Sequence, residues 1–176
     1  KPGMSARAMS DSADAALAAG LARIGLIESA AATYDCGANG ARQCRQLQLY
    51  YMHGLGHGIG LEVHDPEQYY VSGTIATGSA FTLEPGIYVR PNTLDIIPDS
   101  PRNRAFKDRI RAAMEKYRGI GVRIEDDYIV TEKGLEWISR APREIAEVEA
   151  AMKQPATVGA PRDAAKVEWY RGGGTP

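Results

Sequence analysis

The spacing of apolar residues in the first part of the chain predicts an α-helix. Residues 4–31 are rich in alanine, and the larger apolar side chains recur at helical spacing, at Leu17, Leu21, Ile24, Leu26 and Ile27. Glycine disfavours the interior of a helix, so we expect this helix to break near Gly20 or Gly25.

A second helix is predicted over "DSPRNRAFKDRIRAAMEKYRG", residues 99–119. Asp99 or Ser100 can cap its start, and Pro101 suits its first turn. Gly119 follows its end. Its buried side is predicted to consist of Phe106, Ile110, Ala113, Met114 and Tyr117.

Other stretches alternate with the period of two that is typical of β-strands. They are residues 47–63, "SAFTLEPGIYV" (79–89) and "GIGVRIEDDYIVT" (119–131). Residues 35–46 are predicted to form a loop, and residues 141–152 a short helix. The order of elements predicts one α+β unit over residues 1–152, followed by a loose tail over 153–176.

Charge and composition exclude several classes of partner. The 176 residues carry a formal net charge of −1, which gives no electrostatic case for nucleic acid or an anionic membrane. No apolar run approaches the ~20 residues needed to span a bilayer. We therefore expect neither partner. The chain begins at Lys1, without a signal-peptide pattern, so we expect it to be part of a longer protein.

Two cysteines lie close together in "YDCGANGARQC". The turn-forming residues between Cys36 and Cys44 can bring them together, which predicts either a disulfide in an exported protein or two ordinary thiols. Both interpretations stay open, and the compartment, cytoplasmic or exported, depends on them.

All three histidines of the chain lie in "HGLGHGIGLEVHD", residues 53–65. His53 and His57 have the spacing of two zinc ligands on a helix, but the glycines between and after them oppose a helix at about 1 kcal/mol each. An extended strand places His53 and His57 on one face and mostly glycine on the other. His64 has the opposite parity and reaches the same site only if the chain bends.

Two carboxylates interrupt the apolar β-stretches. Glu84 lies among apolar residues in "FTLEPGIYV", and Glu125 lies in "GVRIEDDYIVT". Glu84 could be exposed beside the Pro85–Gly86 break, and Glu125 could pair with Arg123 or lie exposed at an edge. A buried carboxylate needs a counter-charge or a metal. Together with an imidazole, the two predict a Mn, Co or Zn site.

These three motifs, in this order and spacing, resemble those of the pita-bread metallopeptidases, in the aminopeptidase P and prolidase branch. Methionine aminopeptidases and the metal-free creatinases are cousins. The resemblance covers residues 1–152. It implies the C-terminal half of an α+β pita-bread (creatinase/aminopeptidase-like) fold, with a curved antiparallel sheet and flanking helices.

The resemblance also implies roles for individual side chains. The family binds two ions, usually Mn or Co, and the matching metal ligands here are His57, Glu84 and Glu125. Glu84 would also carry a proton to the leaving nitrogen. His64 matches a catalytic histidine that contacts the substrate. His53, Tyr88 and Arg123 match positions that bind substrate or support the site.

The implied activity is hydrolysis of the N-terminal Xaa-Pro bond of a peptide with proline at its second position, as an aminopeptidase or a dipeptidase. The family's two aspartate ligands have no match in this chain, so we expect it to bind at most one ion, weakly, and to have little or no activity alone. The full-length protein is expected to be a homo-oligomer. The alternative is a non-catalytic module of the same fold that acts in binding or assembly. A creatinase-like hydrolase is disfavoured by the presence of His57, Glu84 and Glu125.

Overall fold

The structure, a computed structural model, describes residues 2–37, 42–65 and 73–155. The elements within them are α1 (Ala6–Arg23), β1 (Thr33–Asp35), β2 (Gln43–Arg45), a 3₁₀ helix (Gln46–Leu49), β3 (Ala80–Leu83), β4 (Gly86–Tyr88), α2 (Thr93–Ile96), α3 (Pro101–Tyr117), β5 (Gly121–Arg123), β6 (Asp126–Thr131), β7 (Gly134–Trp137) and α4 (Ile145–Met152). One compact unit spans Lys1–Arg140, and α4 belongs to a second, Ala141–Pro176. Residues 156–176 of the predicted tail lie outside the described residues.

The strands pair antiparallel in three small sheets. β1 pairs with β2, β3 pairs with β6, which also pairs with β7, and β4 pairs with β5. Leu83 lies opposite Asp126, and Gly86 lies opposite Arg123, so the register is the same before and after the interruption between β3 and β4. Residues 84 and 125 therefore face each other where both ladders are interrupted.

The main core lies between α1, the 3₁₀ helix and α3. Its buried residues include Leu21, Leu47, Tyr50, Phe106, Ile110 and Met114. Ala113 and Tyr117 pack against it, which confirms the predicted buried side of α3. The predicted start of α3 is also confirmed, because Ser100 Oγ accepts a hydrogen bond from Asn103 N at 3.1 Å and Pro101 is the first helical residue.

The first helix is shorter than its apolar pattern. α1 ends at Arg23, and Gly25 follows in the left-handed region with φ +78°. The break is therefore at Gly25 and not at Gly20, since glycine adopts this conformation without steric cost. Leu26 and Ile27 are buried beyond the helix, whereas Ile24 is 39% exposed, contrary to the pattern.

Two local predictions are wrong. The predicted loop 35–46 contains β2 and the last residue of β1, and the disulfide links Cys36, just after β1, to Cys44 in β2. The predicted strand 47–63 begins instead as a 3₁₀ helix, and residues 50–65 form only isolated bridges. Its glycine-rich part does run along β3, where Glu84 N donates to Leu55 O at 2.7 Å and Thr82 N to His57 O at 2.8 Å. Among the helices that the structure describes, none is both long and apolar enough to cross a membrane.

Candidate metal centre

The site forms where the two strand ladders are interrupted. Pro85 has no N–H to donate, so regular pairing stops after β3, and only a weak bond from Ile124 N to Pro85 O (3.3 Å) spans the interruption. Glu84 and Glu125 lie opposite each other at this point. Glu84 is only 8% exposed, so its predicted alternative, an exposed carboxylate beside the Pro85–Gly86 break, is wrong.

His57 completes a cluster with the two carboxylates. Its Nε2 lies 3.4 Å from Glu84 Oε1 and 3.8 Å from Glu125 Oε1. Within residues 2–37, 42–65 and 73–155, these three side chains form the one group of three or more histidine, cysteine or acidic residues whose donor atoms all lie within 4.8 Å of one another. The structure thus brings together the three residues that the resemblance implies as metal ligands.

A hydrogen bond at Nδ1 orients the His57 ring and leaves Nε2 facing the two carboxylates. Nδ1 lies 2.9 Å from Gly58 O, and a carbonyl oxygen can only accept, so Nδ1 carries the proton. Nε2 then has a free lone pair directed towards the carboxylates. This is the tautomer that a histidine ligand requires, fixed by a backbone carbonyl.

Arg123 connects the cluster to the neighbouring aromatic residues. Its Nη1 lies 3.1 Å from Glu84 Oε2, and its Nε donates to the Tyr88 hydroxyl at 2.7 Å. The hydrogen bond to Tyr88, and then the nearby carboxylates, raise the pKa of Arg123. By distance, Arg123 forms its ion pair with Glu84 and not with Glu125, the partner considered from the sequence. Glu125 has 44% of its side chain exposed.

Tyr88 passes this hydrogen bonding on to His53. His53 Nδ1 lies 2.8 Å from Gly54 O and must donate, so His53 Nε2 accepts from the Tyr88 hydroxyl at 3.1 Å. The result is a continuous chain from Glu84 through Arg123 and Tyr88 to His53. His53 is thereby held beside the cluster without being part of it.

His64 reaches the cluster through a bend. Its ring lies 4.3 Å from the His57 ring, centroid to centroid, at an interplanar angle of 78°. Gly58 and Asp65 form an antiparallel bridge that folds the chain back on itself. The bend that the parity of His64 required is therefore present.

Thr82 supports the cluster and was not identified from the sequence. Its hydroxyl accepts from His57 N at 3.0 Å and lies 3.3 Å from Glu84 Oε1, to which it donates. The available signal was its position two residues before Glu84, because alternate residues of an extended segment point to the same side. Gly56 lies against the same residue, because an added Cβ would come within 1.9 Å of Thr82 O.

The donor set fits a divalent cation. One imidazole and two carboxylates are ligands that Mn, Co and Zn accept, whereas a closed structural zinc site would require thiolates. Both cysteines are instead joined to each other in a disulfide.

The chain is similar in sequence to known peptidases. Xaa-Pro aminopeptidase 2 of Streptomyces coelicolor is 37% identical over 158 residues, which cover 86% of this chain and 28% of that protein. The human Xaa-Pro dipeptidase is 33% identical over 120 residues, covering 59% of this chain and 24% of that protein. The chain thus spans about three tenths of the length of such relatives or less.

Solved structures show the same fold. Pseudomonas aeruginosa aminopeptidase PepP superposes with a TM-score of 0.60 and 34% identity, over 86% of this chain and 30% of that one. Escherichia coli aminopeptidase P, solved with the inhibitor Pro-Leu, gives a TM-score of 0.55 and 30% identity, over 88% and 31% of the two chains. These structures confirm the predicted α+β pita-bread fold and the aminopeptidase P and prolidase branch. The family model for metallopeptidase family M24 matches residues 1–132. This chain belongs to metallopeptidase family M24.

Proposed function

We propose that this chain takes part in metal-dependent hydrolysis of the N-terminal Xaa-Pro bond of peptides. The observation that carries the proposal is the convergence of His57, Glu84 and Glu125, with the His64 ring in contact with His57. The printed names of its relatives, Xaa-Pro aminopeptidase and Xaa-Pro dipeptidase, support the substrate class.

His57, Glu84 and Glu125 would hold the cation. A bound divalent ion would supply Lewis acidity and lower the pKa of water at the site. As the resemblance implies, Glu84, the buried carboxylate of the set, would also carry a proton to the leaving proline nitrogen, and Arg123, which pairs with its Oε2, would orient it. His64 would donate a hydrogen bond to the oxyanion that develops on the scissile carbonyl. His53 and Tyr88 would contact the substrate.

We further propose manganese as the cation, with cobalt and zinc as alternatives, since carboxylate-rich sites accept all three. A zinc-substituted form of E. coli aminopeptidase P supports this breadth. With three ligands available, the 176-residue chain is expected to bind one ion. Metal analysis after dialysis checks this, and two tightly bound ions per chain would contradict it.

The test of the activity is hydrolysis of an Xaa-Pro peptide with added Mn²⁺, beside an Xaa-Ala peptide of the same length. We expect slow turnover of the Xaa-Pro peptide and none of the Xaa-Ala peptide. The Glu84→Gln variant should cleave neither. Equal cleavage of both peptides, or full activity in Glu84→Gln, would overturn the proposal. A chain that binds Mn²⁺ without cleaving either peptide would favour the alternative of a binding module.

The Cys36–Cys44 disulfide supports a further proposal, that the protein works in an oxidising compartment. We also propose that the full-length protein is a homo-oligomer. Mass spectrometry of alkylated protein isolated from its natural source would show whether the two thiols are paired.

A further inference from the structure

His64 lies in a turn over residues 58–65, and hydrogen bonds join the start of this turn to β3. Gly58 pairs with Phe81 of β3 on one side and with Asp65 on the other. Asp65 N donates to Gly58 O at 3.0 Å, which closes the turn over residues 58–65. Ile59 N donates to Ala80 O at 3.0 Å and fixes the start of the turn.

Apolar packing does not hold the far end of this turn in shape. Leu61 is 103% exposed and Val63 is 72% exposed, so these two side chains bury almost nothing, whereas Ile59, at the start of the turn beside β3, is half-buried. The conformation of residues 60–65 must therefore come from hydrogen bonds. Besides the closing bond, one more backbone bond lies inside the turn, from Gly60 N to Glu62 O at 3.2 Å.

The carboxylate of Asp65 fills the inside of the turn. Its Oδ1 accepts from Glu62 N at 3.2 Å. A Cβ added at Gly60 would lie 2.4 Å from Asp65 Oδ2 and 2.6 Å from its Cγ. The backbone of Gly60 is outside the left-handed region, so the carboxylate, and not the backbone conformation, is what excludes a side chain there.

One carbonyl oxygen, that of Gly58, both closes the turn and orients the imidazole of His57. Gly58 O accepts from Asp65 N at 3.0 Å and lies 2.9 Å from His57 Nδ1, which donates to it. The residue next to Asp65 is His64, whose ring contacts His57. A change in the turn would therefore alter both the position of His64 and the support of His57.

We propose that Asp65 is a positioning residue, whose carboxylate holds the 58–65 turn so that His64 lies against His57. This inference rests on the proposed function for the role of His64 in catalysis, but the positioning itself is a property of the metal-free chain. Gly60 contributes to the same arrangement, because its lack of a side chain leaves room for the Asp65 carboxylate.

The test uses NMR on the metal-free 176-residue chain, with the cross-peak between the ring protons of His57 and His64 as the readout. We expect Asp65→Ala to lose the cross-peak while the circular dichroism spectrum stays unchanged. Asp65→Asn keeps an acceptor oxygen and should retain it. Gly60→Ala should lose it as well, and combining it with Asp65→Ala should add no further change.

A cross-peak that persists in Asp65→Ala would overturn the proposal, whatever the activity. Where turnover of an Xaa-Pro peptide is measurable, Asp65→Ala should lower kcat by about 10-fold or more with KM little changed, and Asp65→Asn should restore most of it. Absence of turnover in the wild-type chain would count against the proposed function and leave the NMR result decisive for Asp65.

Discussion

At the scale of single residues, Arg123 tests how the cluster of His57, Glu84 and Glu125 is held in place. Arg123 is the ion-pair partner of Glu84 Oε2, at 3.1 Å, and it also donates to the Tyr88 hydroxyl. Arginine can make both contacts at once because its donors form a planar fork, which lysine lacks.

We expect Arg123→Ala to weaken Mn²⁺ binding by about 10–100-fold, because Glu84 would lose the group that orients it. Arg123→Lys should recover part of the loss. Isothermal titration with Mn²⁺ measures the effect. Arg118→Ala, an exposed position after the end of α3, is the matched control. An equal loss in the control, or none in Arg123→Ala, would contradict the orienting role.

Gly56 provides a second test, through close packing. A Cβ at this position would lie 1.9 Å from the backbone oxygen of Thr82, which cannot move without disturbing β3. Gly56→Ala should lower the free energy of unfolding by about 1–3 kcal/mol or more, as overpacking does. Urea denaturation measures it.

The neighbouring glycine supplies the control for this variant. An added Cβ at Gly54 meets its nearest atom at 4.0 Å, so Gly54→Ala should leave stability nearly unchanged. If both variants unfold at the same urea concentration as the wild type, the close approach of residue 56 to β3 is not as described.

At the scale of elements, the sequence predicts a helix or strand correctly where interactions between neighbouring residues determine it. α3 was predictable because its capping serine, its first-turn proline and its apolar side all agree. The 47–63 segment was not, because its alternation is equally compatible with a strand and with a glycine-rich segment that hydrogen-bonds β3 on one side only. The tertiary contacts of Gly56 with β3 decide between them, and they lie outside any local window.

The metal site likewise has residues that motifs identify and contacts that only the tertiary structure explains. His57, Glu84 and Glu125 could be named from motifs, but only the strand register explains why Glu84 and Glu125 meet despite their separation in sequence. Thr82 was missed because threonine is common in strands and nothing in the sequence marks one as a hydrogen-bonding partner.

The attachment of β1 to α3 gives a prediction about pH. Ser100 Oγ donates to Asp35 Oδ2 at 2.6 Å, and Asn103 Nδ2 donates to Asp35 O at 2.8 Å. The hydrogen bonds from Ser100 and then Gln43 lower the pKa of Asp35 below its ordinary 3.8. The ionised carboxylate therefore stabilises the folded chain above pH 3.8, and this contribution disappears as the pH falls through the lowered value.

We expect Asp35→Asn to lower stability near neutral pH and to reduce the loss of stability in acid. Urea unfolding at about pH 7 and about pH 3 measures both effects. Asp11→Asn serves as the control, since Asp11 is an exposed aspartate of α1 with 69% of its side chain accessible. The same acid dependence in wild type and Asp35→Asn would show that Asp35 is not responsible.

At the scale of the whole molecule, the sheet edge at β5 is an exposed apolar surface. Every residue of β5 is exposed, and in the part of the chain that the structure describes β5 pairs only with β4. Ile120, Val122 and Ile124 are 50%, 57% and 42% exposed along this edge. An apolar strand edge with open hydrogen-bonding groups pairs readily with another chain.

We therefore expect the 176-residue chain to self-associate at high concentration, and Val122→Lys to shift it towards the monomer, because a lysine on the edge opposes strand pairing. Light scattering over a concentration series measures the change. Leu135→Lys in β7 is the matched control, since Leu135 is 45% exposed but lies in the other sheet. A wild-type chain that stays monomeric would show that the β5 edge is not adhesive. An equal effect of Leu135→Lys, which lies in β7 at the edge of the other sheet, would show that the dissociation does not depend on the β5 edge in particular.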